Sequence, residues 1–515
     1  MNAPSFKNRW LIKGSLTTES ELHVGDGGAG GLGCRNKAAE GDEADASTVC
    51  TDVEGKAFLP GSGIKGTLRA LVSDANGIID GGWACLLGSD RPDDPDAVGG
   101  KLEFWDAFHS SGAGTEDEEP DSGQPYEAPD RKRPWWDNTR RTCVAVAVSL
   151  DRRTRTAEEN LLYHLEYVPK DETFEIEISG DNLEPEEVAH LLWLLEQFNA
   201  TAHRRATLGA LSSNGWGQVT WKEKEILCLD DIDAWKKKPT VGLRALPRVR
   251  DDDARKIEEI KRQVSPATSG PQRMVIEVAL TMESPWLIRD PRQDERKEAG
   301  KSLKDEKDKP KDAVAILDES GAPFVPAKSF RGALRSRAEM ILRTLGLKCD
   351  DHPSKTKPLS TKRRSVTEVL KEIAGKDLAS KLFGLSGWRA PLDVPRLIAT
   401  DRPKEHDQEF VAIDRFTGGA AAGAKFNAEL AGMTTLTGKL TVDLDRLEKV
   451  DPGCASIGLL ALVLRDLEEG DITIGSGAAK GQGFCTATIK IDGADWRTHD
   501  LIAKGIKALR KPSHP

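Results

Sequence analysis

The chain has 515 residues, of which 38% are hydrophobic, and its 74 basic and 84 acidic residues give a net charge of -10. This length is enough for two or three domains with a sizeable core. The acidic total argues against a protein that is basic over its whole surface, so only local patches indicate an anionic partner. The most apolar stretch, 457–464, is far shorter than the roughly 20 residues of a membrane span. No apolar signal segment follows Met1, and we expect a cytoplasmic protein without a membrane partner.

The first 235 residues mix strand and helix patterns. A strand at 10–19 precedes a long loop and a helix from Pro60 to about Ser73, for which Ser62 is the predicted N-cap. A helix at 185–202, a glycine-rich turn and a strand at 218–224 end the region. The intervening predicted strands are 100–107, 143–150, 161–167 and 173–179. This order predicts an α+β fold with an antiparallel sheet and helices packed on one face.

The polar, proline-punctuated segment 236–272 is predicted to be an interdomain linker. The pattern then repeats, with predicted elements at 275–281, 328–345, 411–414, 425–430, 436–442, 455–467 and 484–491. The sequence therefore predicts a first domain at 1–235, a second at 273–492 and a C-terminal tail at 493–515.

Self-comparison shows that the two regions are copies of one domain. DVEGKAFLPGSGIKGTLR (52–69) aligns with DESGAPFVPAKSFRGALR (318–335) at an offset of 266. The same offset places Gly209, Gly215 and Gly217 on Gly475, Gly481 and Gly483. Two distant blocks that share one offset indicate an internal duplication. Small slips, typical of loop insertions, bring Asp151 and Arg152 onto Asp414 and Arg415.

The repeated helix carries a cationic pair in each copy. Lys65 and Arg69 lie one turn apart behind the free backbone N–H groups of the helix N-terminus, and Arg331 and Arg335 take their places in the second copy. This arrangement is typical of phosphate binding, although the order of residues does not match a P-loop. A solvated helix face is the alternative, and the repetition favours an anionic ligand.

Further cations lie near the glycine-rich turns: His203, Arg204 and Arg205 in the first copy and Lys480 in the second. The segment RKRPWWDNTRR (131–141) combines five cations with Trp135 and Trp136, a composition typical of segments that stack on bases and pair with phosphates. A hydrophobic plug beneath a basic loop is an equally open interpretation of the two tryptophans.

The sequence contains no convincing nucleophile constellation, so loop carboxylates are the catalytic candidates. Asp45 lies 15 residues before Pro60, and Asp312 lies 14 residues before Pro326. A carboxylate beside phosphates can hold a divalent cation or orient a 2′-hydroxyl. Solvated loop residues remain the alternative. The eight cysteines include no CxxC pair and indicate neither a disulfide framework nor a zinc ribbon.

Together the motifs resemble a known family. HVGDGG, the P-G-S-x-x-K-G-x-x-R block, LLG and LFG (86–88 and 382–384), Asp-Arg-x-Thr and the final glycine-rich loop are similar to the RAMP superfamily of CRISPR-associated proteins. Within it, the chain resembles the backbone subunits, the Cas-seven family, of type III effector complexes, and its duplication resembles the fused subunits of type III-D. The resemblance implies two tandem ferredoxin-like (RRM-like) RAMP domains that hold a CRISPR guide RNA, pair it with a complementary target RNA and contact other effector subunits.

The resemblance also implies roles for particular residues. Asp45 and, by the repeat, Asp312 would cleave target RNA with a divalent cation, Mg or Mn. The four cations of the repeated helix, Lys65, Arg69, Arg331 and Arg335, would contact the guide backbone. A thumb-like insertion would lie at 109–142 and would be very short, 403–409, in the second copy. An inert structural subunit is one alternative. The other is a guide-processing ribonuclease, which would be expected to use His23 or His203 as base.

Overall fold

A computed structural model describes most of both copies. The described residues are 6–30, 46–73, 81–89, 99–110, 136–151, 156–200, 205–230, 249, 251–264, 272–290, 311–318, 320–350, 366–385 and 387–510. Four predicted site residues, Asp45, Trp135, His203 and Arg204, lie outside them, as does most of the proposed insertion at 109–142.

The described part of the first copy contains ten strands and three helices. The strands are β1 Arg9–Thr18, β2 Gly25–Gly30, β3 Ala46–Val49, β4 Phe58–Leu59, β5 Leu102–Phe104, β6 Ala107–His109, β7 Cys143–Asp151, β8 Thr156–Tyr167, β9 Thr173–Asp181 and β10 Val219–Leu229. The helices are α1 Gly61–Val72, α2 Gly81–Leu87 and α3 Pro185–Glu196. Strands pair in the order β10-β1-β9-β6-β4, with β5 also on β9, and all these pairs are antiparallel.

Alternating side chains explain why this sheet carries helices on one face. Ile12 and Leu16 of β1 are buried in one core with Ile176 of β9, as period-two alternation requires. Helix α1 buries Ile64 and Leu68, one turn apart, in the same core. Helix α3 begins with a capping box, in which the side chains of Glu184 and Glu187 bind each other's backbone N–H groups.

The second copy repeats this plan. After α4 Asp251–Gln263, the described part of the second copy contains ten strands: β11 Arg273–Met282, β12 Ala313–Val314, β13 Phe324–Val325, β14 Leu392–Asp393, β15 Leu397–Ala399, β16 Glu405–Ile413, β17 Ala420–Ala431, β18 Thr435–Asp443, β19 Cys485–Ile491 and β20 Ala494–Asp495. Its helices are α5 Ala327–Thr344, α6 Val366–Ala374, α7 Leu378–Phe383, α8 Leu444–Glu448, α9 Ala455–Glu468 and α10 Asp500–Leu509. Read in reverse, the sheet order β13-β15-β18-β11-β19-β20, with β14 on β18, matches that of the first copy and adds β20 at one edge. The prediction of two tandem α+β domains is confirmed.

Two segments outside the predicted domains pack onto the cores. Helix α4, from the predicted linker, buries Ile257 in the first core, and Lys261 Nζ lies 2.7 Å from the carboxylate of Glu196 on α3. Helix α10, from the predicted tail, lies so close to α9 that a side chain at Gly458 would collide with the carbonyl of Gly505. Trp496 and Ile502 of this region belong to the second core. The description of 493–515 as a tail was wrong for its described part, because these apolar residues need the α9 surface.

Each copy also carries an antiparallel hairpin beside its main sheet. Strands β7 and β8 form the first, and β16 and β17 form the second. Each hairpin pairs in parallel with a short strand from the long loop, β3 with β8 and β12 with β17. At the second tip, Asp414 accepts backbone N–H bonds from Phe416 and Thr417, and Phe416 is 99% exposed. The insertion proposed at 109–142 lies between β6 and β7, and the corresponding link between β15 and β16 in the second copy is only a few residues long.

The repeated glycines have a steric role. Gly209 and Gly475 adopt left-handed φ values of 72° and 87°. A Cβ at either position would overlap a backbone carbonyl, that of His23 or of Leu287. The backbone therefore approaches another segment closely in these turns, which explains why the glycines persist in both copies.

A comparison of two neighbouring glycines distinguishes the effect of steric overlap from the effect of backbone strain. Gly481 and Gly483 have similar φ values of 80° and 75°, but a Cβ meets nothing within 4 Å at Gly481 and overlaps the carbonyl of Ile474 at Gly483. We expect Gly481→Ala to lower the free energy of unfolding by about 1 kcal/mol and Gly483→Ala to lower it by about 3 kcal/mol or more. Urea unfolding of the full chain measures both, and equal losses would contradict the close approach.

Candidate nucleic-acid interface

The two copies meet through the first glycine-rich turn. The short 3-10 helix Ser212–Asn214 of this turn lies against α5 and the segment that follows β14. The Val394 N–H donates to the Ser213 carbonyl at 2.8 Å, and Arg396 Nη1 lies 3.5 Å from a Glu21 oxygen. A Cβ at Gly215 would lie 3.1 Å from Pro395, so glycine lets the two segments approach. We call this contact the joint.

Arg331 lies at the centre of the joint and does not extend freely from its helix. Its Nη1 donates to the carbonyls of Ser213 at 3.2 Å and Leu392 at 3.3 Å, and its Nη2 donates to the carbonyl of Phe383. Burial, reinforced by Arg335, lowers the pKa of Arg331 to about 10. The sequence-based role in guide binding is therefore replaced by one that joins protein to protein.

Arg335 is also occupied within the protein. It is buried, its Nε lies 3.0 Å from Glu339 Oε1, and its Nη1 donates to the Gly384 carbonyl at 2.8 Å. Contacts within the protein take the place of the phosphate contact expected from Arg335, because a paired carboxylate already compensates its charge. In the second copy, the cationic pair stabilises the end of α7 and the joint.

A lysine and two aromatic rings form the edge of the joint. The Lys328 ammonium, at the start of α5, lies 4.8 Å from the ring centroid of Tyr163 and 5.6 Å from that of Trp216. Cation–π attraction favours this placement. Burial opposes it and lowers the pKa of Lys328 to about 8. The sequence gives no sign of this contact, because the first copy has Ser62 at the equivalent position and no repeated cation marks it.

The equivalent helix face of the first copy is more open. Lys65 Nζ donates to the Leu102 carbonyl at 3.2 Å, and burial together with Arg69 lowers the pKa of Lys65. Arg69 Nη1 lies 3.4 Å from the Leu87 carbonyl. Ser62 is exposed and is not the N-cap, because α1 begins at Gly61 behind Pro60. The Gly61 N–H instead binds the Asp106 carboxylate at 2.8 Å, so a carboxylate of the domain itself already occupies the helix N-terminus.

The described part of the basic segment 131–141 packs onto the protein. Trp136 is half-buried against a small cluster of Cys143, Leu165, Tyr167 and Trp216. Arg140 forms a two-pronged ion pair with buried Glu166, at 2.6 and 2.8 Å, and Arg141 Nε lies 3.0 Å from Glu172. For Trp136, these contacts favour the plug interpretation over base stacking.

Lys480 of the second glycine-rich turn, by contrast, is exposed, with its ammonium 4.4 Å from the Phe410 ring.

Asp312 is brought to the base of the second hairpin. It immediately precedes β12, and its Oδ2 accepts the Asn427 backbone N–H at 2.8 Å. In return, its own N–H donates to the Asn427 side chain at 2.7 Å. Asp45 lies outside the described residues, but it precedes β3 as Asp312 precedes β12, and Ala46 pairs with His164 as Ala313 pairs with Ala428. Both aspartates therefore directly precede a short strand of this kind, and at the offset of 266 Asp312 falls one residue later, on Ala46.

The aligned Asp52 and Asp318 form turns. Oδ1 of Asp52 accepts N–H bonds from Glu54 and Lys56, and Oδ1 of Asp318 accepts them from Ser320 and Ala322. This Asx-turn explains why both residues persist in the repeat without assigning them chemistry.

A histidine lies beside the first loop. The His23 Nδ1 lies 2.6 Å from the Glu166 carbonyl, which can only accept, so Nδ1 donates and Nε2 is free to accept. The Ser47 hydroxyl lies 3.2 Å from Nε2 and is the matching donor. The second copy has Leu287 and Ala313 at these positions. The sequence indicated His23 as a possible base but not its contact with Ser47, which lies 24 residues away.

Among the described residues, one acidic cluster has metal-ligand spacing: Asp466, Glu469 and Asp471. Arg337 contacts Asp466 at 2.6 Å and Asp471 at 2.8 Å, so ion pairs already engage two of the three carboxylates. Asp466 belongs to α9 and not to the loop that precedes β12. It therefore does not serve the predicted cleavage site.

The chain as a whole matches a known family. The family model of the RAMP superfamily matches residues 15–220 and 279–486, one segment in each copy. A search of the curated proteins finds no match. Within the described residues, none of the helices has the length and apolar character needed to cross a membrane.

The balance at Lys328 between the cost of burying the ammonium and the attraction of the two rings is testable through the pH dependence of stability. Because its pKa is about 8 in the folded chain and 10.5 is its usual value, the cost of burying the ammonium is present in full below pH 8 and is lost towards pH 10.5. We expect the Tm of the wild type to rise relative to that of Lys328→Met across this interval. Lys222→Met, on an exposed lysine, is the matched control. Parallel pH profiles for wild type and Lys328→Met would show that the ring contacts offset the burial.

Proposed function

The chain belongs to the RAMP superfamily, with one RAMP domain in each half, and on this premise we propose that it is a fused backbone subunit of a type III CRISPR effector complex. RAMP proteins are CRISPR-associated and bind RNA, and the chain shares that role. In the proposed function, the two domains hold adjacent stretches of one guide RNA. A complementary target RNA pairs with that guide and is cut with the help of loop aspartates.

The observation that supports this proposal is the repetition of one geometry. Both copies place an aspartate directly before a short strand that pairs in parallel with a projecting hairpin. The joint fixes the two copies head to tail, so equivalent loops and hairpins recur along the chain. A repeated binding element suits a linear polymer such as RNA, whose backbone presents the same groups at regular intervals.

In the proposed cleavage, Asp45 and Asp312 each serve one cut. A divalent cation bound there would stabilise charge on the reacting phosphate. Lys65, Arg69 and Lys480 remain proposed RNA contacts, together with Trp135, His203 and Arg204 outside the described residues. The copies are not equal, since Asp312 already holds the Asn427 backbone and Leu287 takes the place of His23. These differences support the first copy as the stronger nuclease.

We expect Asp45→Ala and Asp312→Ala each to abolish one cut in a complementary RNA, with little change in target affinity, because the cations that bind the phosphates remain. Removing divalent ions with a chelator should abolish both cuts, and a 2′-deoxy nucleotide at the cut position should block that cut. Glu409→Ala, on an exposed acid of the second hairpin, is the matched control. The measurement is fragment mapping on labelled target RNA with the assembled complex.

Asp312 requires one further variant because it also anchors β17. Asp312→Asn keeps an oxygen that can accept the Asn427 N–H bond but loses the charge that a cation needs. If the second cut survives in Asp312→Asn and is lost only in Asp312→Ala, the residue holds the hairpin in place and does not support the chemistry. If both cuts survive the combined replacement of Asp45 and Asp312, the structural RNA-binding subunit would be the better account.

A further inference from the structure

A group of charged residues lies on the outer face of the second sheet, where β11, β18 and β14 run side by side. Arg273 pairs with Asp443 between β11 and β18, and Asp393 pairs with Thr441 between β14 and β18. Cross-strand partners point to one face, as do residues two apart on a strand, so all four side chains share a face. Met274, the next residue of β11, is buried in the core, so the shared face is turned away from the helices.

Two further arginines are brought to this face by segments that flank the strands. The Asp443 N–H donates to the Pro391 carbonyl at 2.9 Å, which places Arg389 beside the start of α8. Arg446 lies in α8, and its Nε lies 3.7 Å from Oδ2 of Asp443. Burial lowers the pKa of Arg446, and repulsion by Arg389 lowers it further, so the two guanidiniums lie close to each other.

Two buried atoms of this group have no hydrogen-bond partner among the described residues. They are Asp393 Oδ1, which is an acceptor, and Arg273 Nε, which is a donor. Burial raises the pKa of the Asp393 carboxyl, and the guanidiniums of Arg389 and Arg273 oppose that shift. Buried polar groups are nearly always paired in proteins. A ligand for this group therefore has to offer a donor to Asp393 and an acceptor to Arg273.

The first copy pairs the equivalent groups within the protein. Arg9 binds both oxygens of Asp181, at 2.5 and 2.6 Å, and the Ser179 hydroxyl donates to Glu103 at 3.2 Å. The pairing register makes these four residues the counterparts, in that order, of Arg273, Asp443, Thr441 and Asp393. The unpaired acceptor and donor are therefore particular to the second copy.

The second copy also carries more positive charge at this place. Counted along the chain from the paired strand residues, Gly99 takes the place of Arg389, and Glu184 takes the place of Arg446. The second copy thus has two cations where the first has a neutral and an acidic residue. Guanidiniums that converge in this way favour an anionic ligand.

The chemistry of the unpaired atoms narrows the class of anion. A phosphate dianion offers several oxygens to guanidiniums, and its one remaining P–OH group donates to a carboxylate oxygen such as Asp393 Oδ1. Sulfate has a similar shape and the same charge but no proton to donate, so the carboxylate repels it. A phosphodiester inside an RNA chain has no such proton either.

We propose that Arg273, Arg389, Arg446 and Asp393 bind a phosphate group that keeps one P–OH, either inorganic phosphate or a phosphomonoester. The guanidiniums bind its oxygens, and Asp393 Oδ1 accepts the hydrogen bond from its P–OH. The inference goes beyond guide and target binding, because an internal RNA phosphate lacks the group that Asp393 requires.

Calorimetric titration of the full chain without RNA tests the proposal, with inorganic phosphate and sulfate as probes. At about pH 8, above the second pKa of a phosphate, both probes are dianions. We expect phosphate to bind at least about tenfold more tightly than sulfate, because only phosphate donates to Asp393. Equal binding of the two ions would show a general basic patch and would overturn the proposal, as would no binding of phosphate.

Two variants test the assigned contacts. Asp393→Asn supplies an N–H donor that suits sulfate, so the preference for phosphate should fall at least about fivefold. Arg389→Met, at an exposed position, should weaken phosphate binding at least about tenfold, whereas Arg262→Met, on an exposed arginine of α4, is the matched control and should not. An unchanged preference in Asp393→Asn would overturn the role of Asp393. If that variant does not fold, as its Tm would show, equal effects of Arg389→Met and Arg262→Met would still overturn the proposal.

Two phosphate esters distinguish the sources of the ligand. Methyl phosphate keeps one P–OH at low pH and one ester oxygen in its place at about pH 8, so it is titrated at about pH 6, near its second pKa. Binding of methyl phosphate there identifies a monoester as a ligand, and binding of inorganic phosphate alone identifies the free ion. Dimethyl phosphate has no P–OH at any pH and should bind at least about tenfold more weakly than inorganic phosphate. Dimethyl phosphate that binds as tightly as inorganic phosphate would overturn the proposal and make these arginines contacts of the RNA backbone.

Discussion

The guanidinium of Arg331 is the interaction on which the relative placement of the two domains depends. It binds backbone carbonyls from the first copy's turn, from β14 and from the end of α7. Planar, multi-directional donation of this kind is particular to arginine. Backbone carbonyls are present whatever the side chain is, so the geometry of the joint depends on the path of the backbone. The glycines determine that path. Loss of Arg331 would leave three acceptors poorly satisfied, which is costly where they are buried.

Much of the fold could be predicted from the sequence, because the duplication gave each element a second, independent example. The strand at Gln218 to Lys224 and the helix from Lys328 were predicted within a few residues of β10 and α5. Other features depend on distant partners. Ser62 has the right residue type for an N-cap, but Asp106, 45 residues away, binds the N–H of Gly61. The sequence around Trp496 and Ile502 looks like a tail, because nothing near them in the chain shows that they pack on the α9 surface.

The candidate site was less predictable than the fold. Repetition of a cationic pair suggested phosphate contacts, yet in the second copy Arg331 and Arg335 bind protein carbonyls and Glu339. A repeat shows that both copies have the same residue type at a position, but it does not show which group that residue contacts. The same holds for Asp52 and Asp318, which are kept as turn formers. Differences between the copies carry more information, because they mark positions at which the two halves differ in function. These positions are Trp216 against Gln482, Lys328 against Ser62, and His23 against Leu287.

We propose that the chain presents two RNA-binding units, one in each copy, in a fixed head-to-tail order. Ribonuclease footprinting of a guide RNA bound to the full chain tests it most directly. The account predicts two protected stretches of similar length, adjacent along the guide and separated by a regular interval. One protected stretch, with the other half of the guide as sensitive as free RNA, would contradict it.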